Sequence, residues 1–250
     1  MPCVKIIILD NLVNNLNTGF YKDLDTNFEL ACEMSEKDFS HSEIIEMLKE
    51  GNIPQKQIAA LKLDNIFNKE EARILIDNLT GCDGKIREAV ALKINNLLRQ
   101  DFNKIDFFIH PDVFANATID INGNICRLVI DSIEILKNNE YFADKYLEKI
   151  IQFINETFKE LDSFIFRDKK YVINKQLFKL YWCLEALKLF SNKINKEELL
   201  QILKRAALEK EYTIREKVAQ ILIITDDEIF DDLKTVLKND ENYYVREVFK

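Results

Sequence analysis

One short pattern recurs along this chain and limits the folds open to it more than any other feature: a polar residue, two variable positions, an apolar residue and a base. It stands as Asp83-Gly84-Lys85-Ile86-Arg87, as Glu211-Tyr212-Thr213-Ile214-Arg215 and as Asn242-Tyr243-Tyr244-Val245-Arg246, each followed directly by Glu. Looser copies begin at Asn52, Asn122 and Lys175, so the six starts are spaced by 31, 39, 53, 36 and 31 residues. Except for the 53, those steps suit a pair of helices. The first two copies also match further on, because Ala60-Leu61-Lys62-Leu63-Asp64-Asn65 and Ala91-Leu92-Lys93-Ile94-Asn95-Asn96 lie 31 residues apart.

The pattern has a physical reading. The polar residue caps a helix by accepting from its orphan first-turn amides, and the apolar residue three positions on enters the core. The base is then placed for a neighbour's acidic cap. After Asp83, the residues Ile86, Ala89, Val90, Ile94, Leu97 and Leu98 fall at helical spacing, and the small Ala89 and Ala91 let helices approach closely. First helices of the pairs are expected at 42–50, 69–79, 196–208 and 226–237, with a longer amphipathic helix at 141–161. The stretch from Asp101 to Asp120 reads as a helix broken near Pro111.

Five glycines and three prolines in 250 residues leave few places to break the backbone, which favours long helices and short turns. The net charge of −8 opposes general nucleic-acid or anionic-membrane binding, although a local basic face can override the average. Cys3, Cys32, Cys82, Cys126 and Cys183 are odd in number and scattered, so they form neither a disulfide framework nor a zinc spacing and point to a reducing cytoplasm. The apolar run from Val4 to Leu9 is too short to span a membrane.

These residues resemble HEAT repeats over 42–250, most closely at Asp83–Leu98 and Glu211–Lys250. The resemblance implies an all-α, right-handed α-solenoid of the armadillo-like kind. About six irregular HEAT-like helix pairs would form it, with residues 1–41 as an N-terminal helical cap and 42–250 as one continuous domain. It also implies a ladder of caps and arginines, here Asp83 with Arg87, Glu211 with Arg215 and Asn242 with Arg246. Lys56, Cys126 and Lys179 stand where the ladder would have Arg.

His41 and His110 are the two histidines, and nothing sets either beside a nucleophile. No spacing matches a metal site or a phosphate-cradling loop, so neither a cofactor nor a catalytic residue is expected. Two stretches suggest a surface. Arg167 to Trp182 interleaves Lys169, Lys170, Lys175 and Lys179 with Tyr171, Tyr181 and Trp182, which suits phosphate and base contacts but equally a core stripe with a solvated back. Asp226, Asp227, Glu228, Asp231, Asp232, Asp240 and Glu241 form an acidic cluster that either faces a basic partner or complements helix dipoles.

The function expected is that of a non-enzymatic scaffold or adaptor binding another protein on a concave solenoid surface, with Lys56, Arg127, Lys179 and Tyr181 as contacts. The alternative is a nucleic-acid binder related to HEAT-like glycosylases of alkylated bases, in which Lys169, Lys170, Lys175 and Lys179 join Lys204 and Arg205 in a groove beside Trp182. That family sets a carboxylate one helical turn from a Trp. Here Ala186 stands one turn beyond Trp182 and Glu185 three residues on.

Overall fold

The computed structural model describes residues 19–163, 170–225 and 227–250, which form helices joined by short turns. The run from Val4 to Leu9, Arg167 to Lys169 and Asp226 lie outside the described residues. The chain divides into two compact units, Met1–Asp64 and Asn65–Lys250.

In the first unit, α1 (Gly19–Ser35) and α2 (His41–Glu50) both pack on α3 (Ile53–Lys62). Two capping boxes fix the starts of α2 and α3. Ser40 accepts from the Glu43 amide while Glu43 takes the Ser40 amide at 2.7 Å, and Asn52 and Gln55 repeat the exchange at 3.1 and 2.8 Å. Gly51 joins the two helices at an ordinary φ of −66°, and its role is steric. A Cβ there would run into the Met47 carbonyl oxygen and sit 2.9 Å from the Gln55 Cβ. Ile44, Leu48, Ile58, Ala59 and Leu63 form the core of this unit.

The second unit holds α4 (Lys69–Asp77), α5 (Gly84–Gln100), α6 (Pro111–Thr118), α7 (Gly123–Leu136), α8 (Glu140–Ser163), α9 (Lys170–Lys188), α10 (Lys196–Ala206), α11 (Tyr212–Ile224), α12 (Asp231–Lys238) and α13 (Tyr243–Glu247). Side chains of Asn68, Asp83, Asn122, Asn195 and Asn242 accept first-turn amides and so start α4, α5, α7, α10 and α13. Helix α5 lies along α7, α6 along α8, α8 along α9, α9 along α11, and α11 along α13. The core side of α5 buries Ile86, Ala89, Val90, Ile94, Leu97 and Leu98. Each of the Ile, Val and Leu side chains contributes on the order of 1.5–3 kcal/mol relative to exposure.

Between Asp101 and Asp120 the structure differs from a broken helix. A 3-10 helix spans Phe102–Phe107, and Pro111 opens α6 at its first turn, where a missing amide donor costs nothing. Beneath α6 and α8, Tyr146 is fully buried, stacks on Phe142 at 5.6 Å, meets Phe190 at 5.5 Å, and shares a 2.7 Å hydrogen bond with the Thr118 hydroxyl. The hydroxyl needs that partner because burial without one costs on the order of 1–3 kcal/mol.

Candidate functional site

The arginines of the recurring pattern tie helices to the turns before them, and one of them, Arg87, lines the site. Arg87 is 8% exposed. Its Nη1 donates to the carbonyls of Gly81 and Cys82 at 2.8 and 3.0 Å, and its Nε donates to Asp120 at 2.6 Å. Arg215 repeats this arrangement, donating to the Glu209 and Lys210 carbonyls at 2.9 and 2.8 Å and to Asp240 at 2.7 Å. In both cases the acceptor stands two residues before a cap and also takes that cap's amide, Asn122 or Asn242, at 2.8 Å. Arg246 reaches the Asp240 and Glu241 carbonyls at 2.5 and 2.9 Å. Asp83 accepts from Lys85 and Ile86 of its own helix. At a fourth position of this kind Cys126 stands in place of an arginine, and its thiol donates to the Asp120 carbonyl at 3.1 Å.

Helix α9 passes the turns before α5 and α7 and carries Lys175, Lys179, Tyr181 and Trp182, singled out in the sequence, which border two pockets. Lys175 and Lys179, with Phe178, line a cavity of about 630 Å³ whose opposite wall is Gly81, Arg87 and Asp120. On the far side of Phe178, a second pocket of about 460 Å³ is lined by Tyr181, Trp182, Glu211 and Thr213. Phe178 therefore divides two depressions. Lys179 is partly covered: it stands 4.7 Å over the Phe153 ring and 3.8 Å from the Glu156 carboxylate.

Trp182 is 8% exposed, with Phe178 and Tyr181 set edge-on to it at 6.1 and 5.2 Å. Its indole N–H is buried and finds no acceptor among the described residues. Gly123 stands against the indole, where a Cβ would make an ordinary contact with its six-membered ring at 3.6 Å. Behind Tyr181, Glu185 takes Lys217 and Lys188, each at 2.5 Å. Burial acts to raise the Glu185 pKa, but the two ammonium groups outweigh it and hold the carboxyl below its ordinary value.

The other expected contacts lie elsewhere. Arg127 is exposed on α7, and Lys56 sits in the first turn of α3, in the first unit. Arg205 is engaged by Asp162 and by Glu209 at 2.7 Å, and it covers the Phe158 ring at 5.0 Å, while Lys204 is exposed on α10. In the acidic cluster, Asp227 pairs with Lys196, and Asp240 with Arg215. His110 stands at the start of α6 without a side-chain cap bond, and burial holds its pKa below the ordinary value. The two buried thiols, Cys126 and Cys183, are pushed up to about 12 by burial. Among the described residues no group of three or more His, Cys, Asp or Glu could hold a metal ion, and no helix is long and apolar enough to cross a membrane. Residue spacing alone does not mark Phe178 as the divider or Asp120 and Asp240 as the arginine acceptors. The latter had one available signal, an acidic residue two places before each of two Asn caps.

What these features define is an all-helical protein with shallow surface pockets. Its curated relatives include the co-chaperone protein HscB of Buchnera aphidicola subsp. Acyrthosiphon pisum. Those of strains Tuc7 and 5A are each 30% identical over 165 residues, covering 61% of this chain and 89% of the relative, and that of strain APS is 29% identical over the same length. The chain belongs to the HscB co-chaperone family. No family model matches it. A crystal structure of an engineered protein aligns at a TM-score of 0.44 and 11% identity, covering 84% of this chain and 94% of the other, and that likeness is too low to bear on the fold.

These relatives correct the expectation of a HEAT-repeat or armadillo-like chain. They equally correct the expected HEAT-type scaffold and its alternative, a nucleic-acid binder related to alkylated-base glycosylases. The pattern misled for a physical reason. A cap, an apolar residue three later and a base that satisfies preceding carbonyls answer the local needs of helix ends, which packed helices of different families share.

Proposed function

We propose that this protein is a co-chaperone, acting by direct contact with a chaperone in the cytoplasm rather than by catalysis of its own. The observation that carries this reading is the relation to HscB, which extends over 89% of the relative's length. The contact face we assign is that of α9, where Lys175 and Lys179 border the larger cavity and Tyr181 and Trp182 the smaller. With Arg87 paired to Asp120 and Lys179 beside Glu156, the exposed Lys175 gives the larger cavity a positive balance suited to carboxylates of a protein partner. Part of the same reading is that the helix pairs of residues 65–250 stack in one direction. It is supported by the repeated arginine geometry and by the side-by-side packing of α5 with α7, α9 with α11 and α11 with α13.

The test is binding of the purified chain to chaperones purified from the same cells, with their ATP turnover followed as the chain is added. Saturable binding that alters turnover, weakened by Lys175→Glu with Lys179→Glu, is the expected result. The absence of binding to any of them would refute the proposal.

A further inference from the structure

The smaller pocket beside α9 has a chemistry distinct from that of its neighbour. Three rings of different orientation meet there: Phe178, 37% exposed, and Tyr181 both stand edge-on to Trp182, with interplanar angles of 73° and 86°. Across the opening lies Glu211. Its situation differs from that of the other residues that begin the recurring pattern. Lys175 lies inside α9 and caps nothing, and Asn52, Asp83, Asn122 and Asn242 each spend their side-chain oxygen on an amide of their own first turn, whereas Glu211 starts α11 without such a bond. Its exposed carboxylate takes the Thr213 hydroxyl at 3.3 Å.

Two nearby cations are already matched. Lys217 is paired with Glu185, and Arg215 with Asp240. Lys217 also stands 4.7 Å over the Tyr181 ring, so that ring already serves as a cation acceptor in the folded chain. The pocket thus combines aromatic surface with an exposed carboxylate, which Arg215 feels at longer range than its own partner Asp240.

We propose that this pocket takes the guanidinium of an arginine side chain presented by a protein partner, with Phe178, Tyr181 and Trp182 supplying ring contacts and Glu211 the counter-charge. A guanidinium suits the site better than an ammonium. It is planar and weakly hydrated, so it stacks on rings, and it donates two parallel hydrogen bonds to one carboxylate. That the arginine comes from a protein rests on the co-chaperone reading; the pocket's preference for the cation does not.

Trp182 is the chain's single tryptophan, so its fluorescence reports on the pocket directly. The experiment titrates the full chain with N-acetyl-arginine amide and, separately, with the neutral isostere N-acetyl-citrulline amide. We expect a saturable change with the arginine compound, little with citrulline, and weakening of about tenfold in Glu211→Gln, the size of a lost charge-assisted contact. Phe178→Ala should weaken it in the same direction. An equal response to citrulline, no saturable change in the native chain, or undiminished binding by Glu211→Gln would each overturn the proposal. No chaperone takes part in the titration, so its failure is distinct from failure of the co-chaperone reading.

Discussion

The Arg87 guanidinium and the Asp120 carboxylate, 33 residues apart in the chain, meet at 2.6 Å with both side chains about nine-tenths buried, joining α5 to the turn before α7. Because Arg87 also satisfies two carbonyls, removing Asp120 leaves a buried cation held in place without its counter-charge. Asp120→Ala should therefore cost about 3–5 kcal/mol. Arg87→Met with Asp120→Leu should cost less than the two single changes added together. Urea unfolding of the four proteins checks the coupling.

Arg215 and Asp240 allow the same contact to be tested by pH. Burial acts to raise the Asp240 pKa, but bonds from Arg215 and the Asn242 amide prevail and hold it below the ordinary 3.8. A carboxyl lowered in the folded state contributes stability that is present above its unfolded pKa and lost as pH falls through the folded value. Stability should therefore drop as pH falls below about 4. In Asp240→Asn the loss over that range should be smaller, from a lower starting stability. Thermal unfolding between pH 5 and pH 2 measures both.

The thiols should divide by burial. Cys32 and Cys82 are exposed, whereas Cys126 and Cys183 are buried with pKa values pushed up to about 12. Iodoacetamide at neutral pH should label the first two in the folded chain and the second two only on unfolding, because the thiolate is the reactive form. Peptide mass mapping after timed labelling reads this directly.

How much of this was legible in the sequence depends on the range of each interaction. Helix starts at Asp83, Asn122, Asn195 and Asn242 were readable because a cap is settled within three residues. The all-helical class followed from the scarcity of Gly and Pro together with apolar spacing. Pro111 was readable as a boundary but not as a beginning, since proline both ends helices and suits their first turn. Asp120 and Asp240 escaped because their bond to an arginine is made 33 and 25 residues away, through a turn whose course spacing does not reveal. The two pockets escaped for a similar reason: α9 meets residues from two earlier turns, at 80–81 and 119–121, and only packing decides which. The family escaped because the recurring pattern records what helix pairs need and says little of ancestry.

Gly51 gives a test of the first unit. An alanine methyl would press on the Met47 carbonyl and the Gln55 Cβ, so the turn must open. Gly51→Ala should destabilise the α2–α3 pair by about 1–3 kcal/mol, as overpacking does. Faster amide hydrogen exchange at residues 41–62, with little change at residues 84–100, is the expected signature.

The central claim is that this chain serves a chaperone. The most direct measurement is the ATP turnover of chaperones purified from the same cells, followed as the full chain is titrated in, with the Lys175→Glu, Lys179→Glu double variant in parallel. The account predicts a saturable change in turnover for the native chain and a weakened one for the variant. Turnover unaffected at any concentration, with no complex formed, would contradict it.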